Sequence, residues 1–192
     1  MKKLLLVILK ISSVILLPLV IGTCNEMDTI IISPAIEGNI LTNSSFEING
    51  SPSITGWQLY EIDSTSLKFS NDVPPGGGKF ALYIKNDWPY GPWLQQNVRT
   101  HQGHHVYRFS CWAKSRYFAD ADVWFGLKTS DSIITLQHFS FGDTVWTCKS
   151  FVDTLNTTPG DSFYVNIFGP IVDIARVGMA VSFDLCEVEI LR

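Results

Sequence analysis

A succession of short runs of alternating apolar and polar residues, parted by Gly, Asp, Ser and Pro turns, leaves this chain few folds to choose from. The runs are 58–62, 66–70, 79–85, 93–99, 106–114, 122–128, 133–141, 145–154, 161–168 and 181–191. None carries a 3.6-residue apolar period over three turns, so helices are not expected. Val73-Pro-Pro-Gly-Gly-Gly78 is a loop signal, and Pro89 and Pro92 remove backbone donors from the segment between the runs at 79–85 and 93–99. Short strands at this spacing predict an all-β protein built as a β-sandwich.

Side chains alternate across a strand, so phase shows which residues share a face. Tyr107, Phe109, Cys111 and Ala113 form one face of their run, with Arg108, Ser110, Trp112 and Lys114 on the other. Val123, Phe125 and Leu127 oppose Asp122, Trp124, Gly126 and Lys128. Likewise Phe163, Val165 and Ile167 oppose Tyr164 and Asn166, while Leu94, Gln96 and Val98 oppose Gln95 and Asn97. Each strand thus presents an apolar face and a second face mixing aromatics with amides and charges. An indole covers the C–H face of a sugar ring and planar polar groups read its hydroxyls, so this second face suits a glycan. The expected ligand-binding residues are Arg108, Trp112, Trp124, Tyr164 and Asn166, with Trp112 and Trp124 taken as one exposed aromatic face. Trp88 and Tyr90, with Trp93, form a second candidate at the sheet rim. A solvated sheet with incidental Trp is the alternative. Trp57 and Trp146 read as packing residues, and His101, His104 and His105 as a solvated turn.

Four ordered motifs resemble jelly-roll carbohydrate-binding modules, the sandwiches appended to many cellulases and xylanases, of galactose-binding-domain-like fold. The first is N-x-x-x-N-x-S-F-E from Asn39 to Glu47, followed by a Pro-containing loop and Gly56-Trp57. Gly78-Lys79-Phe80-Ala81-Leu82 resembles the family's "G-K-x-A-L" strand, and Val106 to Lys114 its "Y-x-F-S-x-W-A-K" strand. Phe183 to Val188 resembles the closing strand, with Asp184 directly after the Phe. The resemblance covers most of the chain after residue 38. It implies a non-catalytic glycan-binding domain over 39–192 and a structural calcium held by Glu47, Asp184 and a backbone carbonyl near Lys79. Calcium takes six to eight hard oxygens in irregular geometry, which suits two carboxylates and loop carbonyls. Two carboxylates bonded only to backbone are the alternative.

The N-terminus reads as a leader, residues 1–23, and a tether, 24–38. Lys2-Lys3 precedes an apolar run from Leu4 to Ile21 that is interrupted by Lys10, Ser12, Ser13 and Pro18. Ile21-Gly22-Thr23-Cys24 resembles a bacterial lipobox, with Thr23 in place of the usual small residue. It implies lipid on Cys24 and a membrane-anchored envelope protein. Glu26 and Asp28 resemble the surface-export signals of some Gram-negative lipoproteins, pointing to the outer membrane or cell surface. A plain secretory signal is the alternative. The formal charge of −4 and the lack of a basic run argue against nucleic acid as a partner.

Beyond Cys24, three cysteines allow at most one internal bridge, and Cys111 and Cys186 read as buried thiols. An enzyme is not expected. Glu187 and Glu189 share a strand face, as a glycosidase pair could, but Leu185 and Leu191 flank them and no G-x-S-x-G occurs. The rival functions are an envelope adhesin or assembly subunit binding protein and, less favoured, a sandwich glycosidase or lyase.

Overall fold

The computed structural model describes residues 38–60, 66–86, 92–116, 119–170 and 179–191. Cys24, Trp88 and Tyr90 lie outside them. Twelve strands follow in chain order: β1 (Glu47–Ile48), β2 (Ser51–Pro52), β3 (Gln58–Tyr60), β4 (Leu67–Ser70), β5 (Ala81–Asn86), β6 (Trp93–Arg99), β7 (Gly103–Arg116), β8 (Ala121–Lys128), β9 (Ile133–Phe141), β10 (Thr147–Thr157), β11 (Ser162–Phe168) and β12 (Met179–Ile190). Ten of them build two five-stranded antiparallel sheets, β10-β7-β12-β5-β4 and β3-β6-β11-β8-β9. The protein is an all-β sandwich, as the alternating runs require, and the described residues contain no helix.

The apolar phases of both sheets meet in a core of rings. Phe109 stacks on Phe151 at 4.5 Å and meets Phe163 and Phe125 edge-on, while Phe139 packs edge-on against Phe125 and Phe151. Edge-to-face pairs satisfy the ring quadrupole as well as burying area, so they hold the two sheets in one register.

The N-terminal motif clasps the sandwich. Asn39 bridges to Glu189, and its side-chain oxygen accepts from the N–H groups of Leu41 and Val188. Gln96, on the core side of β6, accepts from Thr42 N–H at 2.6 Å and donates to Thr42 O at 2.8 Å. Asn49-Gly50, both at positive φ, turn β1 into β2, so part of the expected surface loop is a tight hairpin. Phe46 is left-handed at φ 54 with its ring fully buried 5.3 Å from Trp57. Such a backbone costs about 1–3 kcal/mol, and burying the ring returns about 1.5–3 kcal/mol.

Two expectations are corrected. Cys111 and Cys186 are joined in a disulfide rather than standing as thiols. The register between β12 and β7 shifts, with Asp184 opposite Trp112 and Glu187 opposite Ser110, so Leu185 and Cys186 together face Cys111. This bulge, with Leu185 at φ 47, brings the two sulfurs together on the core side. The second correction concerns β7, which starts at Gly103. His104 and His105 pair with Asn156 and Leu155 in the sheet instead of forming a turn.

Candidate glycan-binding face and carboxylate cradle

The outer face of the β3-β6-β11-β8-β9 sheet is ordered in rows that run across the strands, because registered partners point to the same side. One row holds Tyr60, Trp93, Phe168, Asp122 and Ser140, and the next holds Gln58, Gln95, Asn166, Trp124 and His138. A third holds Asn97, Tyr164, Gly126 and Thr135. Rows lie two residues apart along each strand, about 7 Å.

The rings brace one another. Tyr60 stacks on Trp93 at 4.0 Å with planes 8° apart, so those two faces cover each other. Trp93 continues to Phe168 at 5.8 Å. Trp124 breaks the series, tilted 54° from Phe168 and 62° from His138, and it is 39% exposed. Among the described residues of this face Trp124 is therefore the exposed hydrophobic ring, while its neighbours fix its position. His138 is held in turn by Asp122 at 2.9 Å.

Beside the rings runs an amide chain. Gln95 donates to Asn166 at 2.9 Å and accepts from Tyr60 hydroxyl and Asn97. Tyr164 lies across Gly126 with its hydroxyl 3.1 Å from Thr135. A Cβ on Gly126 would fall 2.0 Å from the Tyr164 ring, so glycine is what lets that ring lie flat.

Three of the expected residues, Trp124, Tyr164 and Asn166, thus come together. Arg108 and Trp112 do not join them. β7 belongs to the other sheet, so these two sit on the opposite outer face, and the single Trp112/Trp124 surface does not exist. Trp112 is also sealed, at 8% exposure, between Cys148 and Asp184, and Arg108 is engaged by Glu189. Trp146 lies beyond that face too, donating to Asp72 with Lys114 over its ring at 5.1 Å. Tyr60, Phe168 and His138 were missed. The alternation that singled out Tyr164 and Asn166 continues to Phe168, and that signal was present.

The second constellation joins the first strand to the last. Glu47 on β1 accepts from Lys79 N–H at 2.7 Å and from Phe80 N–H at 3.1 Å. Asp184 on β12 accepts from Leu185 N–H with one oxygen, and its other oxygen is buried without a partner. Gly77 and Gly78 make room: a Cβ would fall 2.7 Å from Asp184 Oδ2 at the first and 2.0 Å from Glu47 Oε1 at the second. Burial pushes the Asp184 carboxyl up to about 8, with Glu47 and Glu187 adding to the rise and the Leu185 N–H opposing it. Among the described residues no group of three or more His, Cys, Asp or Glu could hold a metal, so any cation here would need backbone oxygens besides the two carboxylates.

Solved structures of other proteins share this architecture. A family 61 carbohydrate-binding module solved with β-1,4-galactotriose is 18% identical, with TM-score 0.54, over 80% of this chain and 98% of that one. A family 16 carbohydrate-binding module is 18% identical, with TM-score 0.56, over 78% and 99%. The fold is the β-sandwich of carbohydrate-binding modules. The enzymatically active domain of tailspike protein 4 from bacteriophage CBA120 also matches, at 14% identity and TM-score 0.60, over 83% of this chain. This chain spans only 22% of that tailspike chain. No protein-family profile and no curated protein sequence matches the chain.

Proposed function

We propose that the protein is a non-catalytic glycan-binding module, with the outer face of the β3-β6-β11-β8-β9 sheet as its binding surface. The observation that carries this reading is Trp124, exposed and braced by rings beside a chain of amides. The module fold supports it. Titration calorimetry or affinity electrophoresis against plant, algal and host glycans is expected to find at least one ligand, and silence across that panel overturns the reading. A hydrolase built on Glu187 and Glu189 finds little support in their placement. They lie on the opposite sheet, where Glu187 is 4% exposed and Glu189 is tied to Arg108.

Calcium belongs to the proposal. The unpartnered Asp184 oxygen and the two-glycine cradle fit a hard cation, which Glu47, Asp184 and a backbone carbonyl near Lys79 would hold. Its contribution would be structural, tying the first strand to the last.

The leader-like N-terminus supports a module held in the cell envelope as a lipoprotein anchored through Cys24, at the outer membrane or cell surface. Cys24→Ser is expected to abolish incorporation of labelled fatty acid and to release the protein from the membrane fraction. Unchanged labelling would remove Cys24 as the lipid site, and a parent protein that takes up no label would remove the anchor itself.

A further inference from the structure

Beyond the amide and Tyr164 rows, the same face ends in a fourth row. Arg99 on β6 and Lys128 on β8 both pair in register with Ser162 on β11 between them, and Lys128 pairs with Ile133 on β9. All three of Arg99, Ser162 and Lys128 continue the outward phase of Asn97, Tyr164 and Gly126. Both cations are exposed, and neither has an ion-pair partner among the described residues. They stand two strands apart, about 10 Å, with a hydroxyl between them.

The acidic groups of this end do not neutralise them. Asp161, the neighbour of Ser162, is buried, and its carboxylate accepts from the N–H and hydroxyl of Thr158. Asp131 lies in the turn after β8, paired with neither cation. Among the described residues, the one acidic side chain in the rows of the face itself, Asp122, sits at the opposite end and is held by His138. On a chain of formal charge −4, this face therefore carries a positive end.

Along β8, Lys128 is four residues from Trp124, about 13 Å, the reach of a short oligosaccharide. We infer that the glycan bound here is acidic: with one sugar stacked on Trp124, a unit further along the oligosaccharide carries an anionic substituent, a carboxylate or a sulfate, to Arg99, Ser162 and Lys128. The inference rests on the glycan-binding reading of the face. Arg99 can take either anion with two parallel N–H bonds, while Lys128 acts as a point charge.

Matched oligosaccharides separate the two anions and test the idea. Galacturonan oligomers are compared with their methyl esters, and sulfated galactan oligomers with desulfated ones, by calorimetry at low and high salt. The acidic member of at least one pair is expected to bind about five- to tenfold tighter at low salt, a gap suited to two exposed cations. Raising the salt should close it. The pair that shows the gap names the anion. In the Arg99→Ala/Lys128→Ala variant the two members of that pair should bind equally. Equal affinities in the unmodified protein, or a gap that survives the double substitution, overturn the inference. So does binding of neutral glycans with no binding of either acidic oligomer, which leaves the glycan-binding reading standing. Silence toward every glycan removes both.

Discussion

Trp124→Ala is expected to weaken glycan binding by about thirtyfold or more, the effect of removing a central aromatic anchor worth about 2 kcal/mol. Its melting temperature should stay close to that of the parent, because an indole 39% exposed contributes far less to folding than a core ring. Trp112→Ala should do the reverse. That ring is buried at 8% exposure in the other sheet, so its removal is expected to cost about 3–5 kcal/mol of stability and leave the affinity of the folded fraction alone. Calorimetry and denaturant melts on the two variants make the comparison. Loss of binding in the Trp112 variant with full binding in the Trp124 variant would move the site to the opposite face.

That contrast also marks where the sequence stops informing. Alternation fixed the phase of both tryptophans correctly, since each points away from the core of its own strand. It could not say which sheet a strand enters. β7 and β8 are consecutive, yet the chain crosses from one sheet to the other between them. Two outward residues from neighbouring strands therefore face opposite directions. The sheet assignment comes from long-range pairing, β7 with β10 and β12, and β8 with β9 and β11, which a local pattern does not contain.

The bulge in β12 was hidden for a related reason. Period-2 counting assumes one residue opposite one, and Leu185 with Cys186 facing Cys111 breaks the count. The left-handed backbones of Phe46 and Leu185 carry no compositional mark, since glycine or asparagine would be the usual signal there. Both adjoin the carboxylates of the cradle, Phe46 before Glu47 and Leu185 after Asp184. The ordered motifs were more informative about this end of the molecule. They named Glu47 and Asp184 as a pair, and the structure sets both against the same Gly77-Gly78 backbone.

Metal-free protein is expected to lose stability as pH rises from about 5 to 8, opposite to the behaviour of a salt-bridged carboxylate. The sign follows from linkage. Asp184 has an ordinary value of 3.8 and rises to about 8 in the fold, and Glu187 rises from 4.5 to about 7, in both cases chiefly through burial. Between these values the folded chain holds protons that the unfolded chain has released. The favourable contribution is whole below pH 4 and drains away as pH passes through the folded values. For Asp184 the loss between pH 5 and 8 amounts to about 4 kcal/mol. A calcium ion would act on the same oxygen from the other side, stabilising the ionised carboxylate whose second oxygen otherwise has no partner. Added calcium should therefore raise the melting temperature most at pH 8 and least at pH 5. Asp184→Asn, similar in size and uncharged at every pH, should remove the calcium response and most of the pH slope, leaving the shallower part due to Glu187. Thermal melts in chelator and in millimolar calcium at several pH values carry the test. A metal-free protein that grows steadily more stable up to pH 8 would contradict the buried carboxyl. A calcium response that persists in Asp184→Asn would place the ion elsewhere.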